Sequence, residues 1–208
     1  MELELELELG LEQGQGLEGL QHAESMTEQQ LREIMNYYGN DVWNYIYYLT
    51  KSHEQADDLA QEVFIKCYYR IGTFRGTSTL KAWLLTIARN TVFSYRKSRF
   101  FRTGLWGEVQ PLTKVDSDQR EFPIEQLGIT RSAEMEYLGS QHISEVWDLI
   151  MGLSPKFREI LVLDLKYELS VKEISALTHL SPGTVKSRLH RARQKIQNKL
   201  KGWNDGGS

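Results

Sequence analysis

The stretch from Ser170 to Arg193, SVKEISALTHLSPGTVKSRLHRAR, constrains the fold of this 208-residue chain more than any other. Ser170 is placed to cap a helix, and Glu173, three residues on, is placed to reach back to the cap's own N–H, the reciprocal pattern that opens many helices. Val171, Ile174, Ala176 and Leu177 fall on one face at helical spacing, so a first helix is expected to run to about Thr178. Ser181 then stands as a second cap with Pro182 at the first helical position, where a missing N–H costs nothing. From there Val185, Leu189, Ala192, Ile196 and Leu200 form an inner stripe. Lys186, Ser187, Arg188, His190, Arg191, Arg193 and Lys195 lie elsewhere on the cylinder, and no acid occurs between Glu173 and Asp205.

Two capped helices joined by a short turn, the second of them free of acids, make a helix-turn-helix. Its second helix would present its first polar residues to base edges in a major groove and its later cations to phosphates. A basic, solvated helix that binds nothing is the alternative for the charge run alone. The capping and the turn favour the DNA reader.

The net charge of -3 runs against that reading until its distribution is inspected. Acids vanish between Arg75 and Arg102 while Arg75, Lys81, Arg89, Arg96, Lys97, Arg99 and Arg102 accumulate, giving a second basic block. Cys67 is the single cysteine, which excludes an intrachain disulfide and a thiolate metal cluster and fits a reducing compartment. Apolar runs are broken by charge every few residues, and the N-terminus lacks a signal-peptide pattern, so a cytoplasmic location is expected.

Residues 1–25 open on alternating Glu and Leu and hold no Lys or Arg. An alternating run with no partner strand is expected to be disordered, and Met26 is a second candidate start. From Thr27 to about Leu49, apolar residues recur at helical spacing, with a bend expected near Gly39. In 53–70, Ala56, Leu59, Ala60, Val63, Phe64, Cys67 and Tyr68 form a buried stripe that leaves Asp57, Asp58, Gln61, Glu62 and Lys66 outside. Residues 71–78 read as a Gly-punctuated loop. Leu80, Trp83, Leu84, Ile87, Ala88, Thr91, Val92 and Tyr95 mark a third helix that ends in aromatics interleaved with cations. Such a surface can stack on unpaired bases while following phosphates, or can be an ordinary helix with Trp83 and Tyr95 in its core. Residues 103–139, with scattered Gly and Pro, read as a flexible linker. A helix follows near Gln141, and Ser154 and Pro155 open another with Phe157, Ile160, Leu161 and Leu165 inward. The expectation is an all-α chain of two small helical domains, 26–102 and 140–202, the second containing the helix-turn-helix, with a short tail at 203–208.

At this point the chain resembles an extracytoplasmic-function (ECF) RNA polymerase sigma factor. Residues 56–64 (ADDLAQEVF) resemble the region 2 core-binding helix of that class. Residues 74–90 (FRGTSTLKAWLLTIARN), continuing into the basic end, are similar to its promoter-melting and −10-reading segment. Residues 153–158 (LSPKFR) and 183–193 (GTVKSRLHRAR) look like region 4, which reads the −35 element. The resemblance implies that Asp57, Asp58, Gln61 and Glu62 meet core polymerase, where opposite charge sets register. It implies that the loop from Phe74 through Arg75, Thr77 and Ser78, with Trp83 behind it, holds a base extruded from the unpaired non-template strand, and that Arg89, Asn90, Arg96 and Lys97 contact the opened −10 region. It places Thr184, Lys186, Ser187, Arg188, His190 and Arg191 on the −35 duplex, with Arg191 the candidate for a bidentate guanine contact of about 1–3 kcal/mol. An anti-sigma factor, often membrane-anchored, is the further partner it implies.

Two other classes compete. A stand-alone dimeric helix-turn-helix regulator would read DNA without polymerase, but leaves the acidic helix at 55–70 unexplained. An enzyme has little support: the five histidines are dispersed, and no phosphate-binding, zinc-protease or nucleophile-elbow motif occurs. No cofactor, metal or small-molecule substrate is expected.

Overall fold

A computed structural model describes residues 19–103 and 141–205, and among these all regular structure is helical. The first domain contains α1 (Glu28–Thr50), α2 (His53–Arg70) and α3 (Leu80–Thr103). The second contains α4 (Gln141–Met151), α5 (Pro155–Leu165), α6 (Val171–Thr178) and α7 (Pro182–Asp205). Of the expected linker 103–139 all but Thr103, and of the expected tail 203–208 the residues 206–208, lie outside the described residues, as do 1–18 and residue 140.

Local chemistry sets the helix starts. Thr27 accepts from the Gln30 amide N–H at 3.2 Å, and Gln30 Oε1 accepts from the Thr27 N–H at 2.8 Å, a capping box. Ser52 Oγ accepts from the Gln55 N–H at 3.3 Å, and Thr79 Oγ1 from the Ala82 N–H at 3.2 Å. Ser154, by contrast, makes no side-chain cap bond, so Pro155 at the first helical position carries that start. No break interrupts α1 at Gly39, which is buried within it.

Helices α1, α2 and α3 pack on one another around Ile34, Tyr45, Ile46, Phe64, Leu84 and Leu85, all at or near zero exposure. Removing such a side chain costs about 2–5 kcal/mol through lost transfer energy and the cavity left behind. The α2 stripe lies where the periodicity places it, with Tyr68 and Lys66 half-buried. In the second domain α7 packs against α5 and α6 through Val185, Leu189, Ala192 and Ile196.

Three expectations are corrected. Ala176 is exposed, because the face of α6 that meets the core centres on Ile174 and Leu177. Leu165 is 50% exposed at the last turn of α5, where the chain leaves the helix before that turn reaches the core. The end of the leader is ordered: Gly19–His22 form a short 3-10 turn, and Leu20 is fully buried.

The two domains also touch. Helix α1 packs on α5, and α3 on α6. Tyr48 stacks on Trp147 at 5.7 Å, and the Tyr167 hydroxyl donates to the Asp41 carbonyl at 2.7 Å.

Candidate nucleic-acid and polymerase interface

The helix-turn-helix forms as the caps dictate. Ser170 Oγ accepts from the Glu173 N–H at 3.3 Å, while Glu173 Oε2 accepts from the Ser170 N–H at 2.9 Å. Ser181 Oγ accepts from the Thr184 N–H at 3.2 Å. The turn between the helices passes through His179 at φ 58°, a left-handed position closing α6, and Ser175 Oγ donates to the Leu180 carbonyl at 2.5 Å. On α7, Lys186, Ser187, His190 and Arg191 are exposed. Thr184 and Arg188 are half-buried, and the Thr184 hydroxyl lies 2.9 Å from that of Ser181. All six expected −35 residues thus share the first three turns of one helix. Farther along, Arg193 is tied to Asp164 of α5 at 2.6 Å, which fixes the helix to its scaffold.

On α2, Asp57, Asp58 and Glu62 are exposed and Gln61 is half-buried, so the acidic row faces outward. Two of its members are held in place. Asp57 accepts from the Trp43 indole N–H at 2.7 Å, and Glu62 pairs with Lys66 at 2.6 Å. Trp43 is itself stacked on Tyr47 at 5.5 Å, so a buried ring on α1 orients the first acid of the row. Nothing in the spacing of α1 marks Trp43 for that task.

The −10 set is divided by the fold. Arg75, Thr77, Asn90 and Lys97 are exposed, and Ser78 and Trp83 are half-buried. Phe74 is buried, its ring 5.5 Å from that of Trp83, so it forms the floor of the loop. Gly76 has φ 67°, a backbone angle that suits glycine. Arg89 points away from solvent: its Nε meets Glu159 of α5 at 2.6 Å, with the two side chains 15% and 7% exposed. Tyr45 donates to the same carboxylate oxygen at 3.3 Å. Arg96 donates to the Leu49 carbonyl.

These groups form one buried polar node between the domains. Burial first, and the Glu159 charge second, push the Tyr45 phenol well above its ordinary range. Burial first, and the Arg96 charge second, lower the Arg158 guanidinium. Arg158 also donates to the Met151 carbonyl at 2.9 Å. Glu159 and Tyr45 escaped the sequence reading because Glu159 sits among the charged positions of α5, beside Arg158, and Tyr45 counts as one of the apolar positions of α1.

Among the described residues there is no cluster of His, Cys, Asp or Glu able to hold a metal ion, and no helix long and apolar enough to cross a membrane.

Two helical domains, one with an outward acidic row and a basic helix and the other with a capped helix-turn-helix, define a two-part reader of nucleic acid. Residues 34–100 match the family model described as Sigma-70 region 2, and residues 143–196 match that of Sigma-70, region 4. The RNA polymerase sigma-H factor of Pseudomonas aeruginosa is 33% identical over 149 residues, covering 71% of this chain and 74% of that protein. The ECF RNA polymerase sigma-E factor of Haemophilus influenzae is 31% identical over 149 residues, covering 72% and 76%. Among solved structures, the sigma factor RpoE of Bartonella quintana in complex with the anti-sigma factor NepR shares the fold, with a TM-score of 0.59 and 24% identity over 84% of this chain and 98% of that one. CnrH in complex with the cytosolic domain of CnrY does so with a TM-score of 0.54 and 18% identity, over 94% and 96%. The chain belongs to the extracytoplasmic-function class of RNA polymerase sigma factors. It is an alternative sigma factor, a transcription initiation factor that directs RNA polymerase to promoters.

Proposed function

We propose the following division of labour among its residues. The α2 row of Asp57, Asp58, Gln61 and Glu62 docks on a basic face of core polymerase. The loop from Phe74 to Ser78, backed by Trp83, takes a base from the unpaired −10 strand, and Asn90 and Lys97 follow its phosphates. On α7, Thr184, Lys186, Ser187, Arg188, His190 and Arg191 enter the −35 major groove. The observation that carries this reading is the exposed, acid-free first half of α7 set on a capped turn, because a recognition helix needs donors aimed outward and a rigid mount.

Arg89 and Arg96 have a second role in this scheme. Both are spent on contacts within the protein, Arg89 across the domain boundary, so the compact arrangement is a resting form and promoter engagement requires the domains to part. An anti-sigma factor is the class of partner that would hold that form, as NepR is found with the Bartonella quintana protein.

Run-off transcription tests the scheme. Core polymerase with this protein should initiate at a cognate promoter, and core alone should not; a stand-alone regulator would bind duplex DNA but fail to replace sigma. Asp58→Lys with Glu62→Lys should abolish core binding while leaving the helical circular dichroism unchanged, because like charges brought together cost several kcal/mol. Unchanged affinity for core would remove α2 from the interface.

A further inference from the structure

The tight turn between α1 and α2 assembles a ring cluster beside the docking row. Lys51 closes α1 in the left-handed region at φ 60°, its N–H donating to the Tyr47 carbonyl at 2.7 Å, and Thr50 Oγ1 accepts from the Ser52 N–H at 3.3 Å. Lys51 and Ser52 alone separate the helices, so His53, the first residue of α2, is laid against the last turns of α1. Trp43 and Tyr47 stand four residues apart on α1, and His53 and Asp57 four apart on α2, a spacing that puts each pair on one helix face. The three rings meet. Their centroids lie 5.5 Å apart for Trp43 and Tyr47, 4.6 Å for Tyr47 and His53, and 5.4 Å for Trp43 and His53.

Exposure rises across this cluster. Trp43 is 4% exposed, Tyr47 is half-buried, and His53 and Asp57 are open to solvent. The buried indole donates its N–H to Asp57 Oδ1 at 2.7 Å, and among the described residues this is the carboxylate's one hydrogen-bond partner. That donor is neutral. Glu62, by contrast, has Lys66 at 2.6 Å, which offsets its charge. Asp57 therefore keeps its charge, held in one orientation with Oδ2 open, beside the exposed ring of His53. A carboxylate next to ring surface suits a guanidinium, whose planar fork bonds the oxygens while its flat face lies on an aromatic ring. An ammonium, a compact and strongly hydrated point charge, gains less from that pairing.

We propose that Asp57, Tyr47 and His53 form a subsite for an arginine of core polymerase at one end of the docking row, with Trp43 as the positioning residue that aims the carboxylate. The subsite rests on the core-docking role given to α2 above and extends it to the rings of α1.

A double-mutant cycle with the full chain and core polymerase tests it. Asp57→Ala should weaken core binding about tenfold, and Trp43→Phe, which keeps a ring but loses the N–H, about fivefold. In the Asp57→Ala background Trp43→Phe should cost nothing further, because the indole then has no carboxylate to aim. An equal loss in both backgrounds would show that Trp43 serves only the fold, and would overturn its role. His53→Ala, at an exposed position, should cost about threefold, again only while Asp57 is present. No loss there would overturn the ring subsite. At saturating concentration the unaltered protein should shield one core arginine from phenylglyoxal, and Asp57→Ala should leave it reactive; a lysine uncovered to acetylation in its place, or no change, would overturn the guanidinium. If Asp57→Ala and the Asp58→Lys, Glu62→Lys pair all bind core normally, the docking assignment itself fails. If the pair weakens binding and Asp57→Ala does not, the row docks without Asp57 and the subsite alone fails.

Discussion

Helices α3 and α7 invite comparison, since each is 24 residues long and rich in cations. On α7 Lys186 and Arg191 face solvent with Arg188 half-buried between them, and the mount is made farther down, where Arg193 grips Asp164. On α3 the central Arg89 is folded into a buried pair with Glu159, and Arg96 is bound to the Leu49 carbonyl. A cation count therefore does not measure how much of a helix is available to DNA. What decides it is whether a distant part of the chain supplies an acceptor that removes the charge from solvent.

The comparison breaks most sharply at Glu159. Glu159→Ala leaves Arg89 without its buried partner at a cost of about 3 kcal/mol to the closed form. The domains should separate, giving a larger radius of gyration in X-ray scattering and freeing Arg89; an unchanged radius would show that the node does not hold the domains together. Next in size, Arg191→Ala should cost about 2 kcal/mol of −35 discrimination in promoter-competition assays. It should leave compaction untouched, the reverse of the Glu159 pattern.

The smallest effect lies in the core beneath α3. Burial pushes the Cys67 thiol up to about 12 from 9.0. The folded state therefore keeps its proton where the unfolded chain loses it, so this stabilisation is complete below pH 9 and lost as pH rises from 9 toward 12. At pH 8 the thiol should resist iodoacetamide in the native protein and react in denaturant, and rapid native labelling would show that the α2 core opens.

Much of this was legible in the chain. Periodicity placed α1, α2, α3 and α5 within a residue or two, and the start of α7, because each buries one continuous stripe. The caps Ser170, bonded to Glu173, and Ser181, bonded to Thr184 with Pro182 at the first helical position, fixed the helix-turn-helix, since those bonds span only three residues. The outward placement of Asp58, Glu62, Lys186 and Arg191 followed from the same stripes. Leu165 and Ala176 went astray at short helices, where a single turn decides which side meets the core.

The sequence by itself determined the helices, their polar faces and the family to which they belong, because those properties arise from neighbours one to four residues apart. Only the tertiary structure decided which cations are spent and that Leu20 is buried in the first domain. Arg89 and Glu159 are 70 residues apart in the chain, Tyr45 and Glu159 are 114, and no local pattern records a bond that forms only when two domains close.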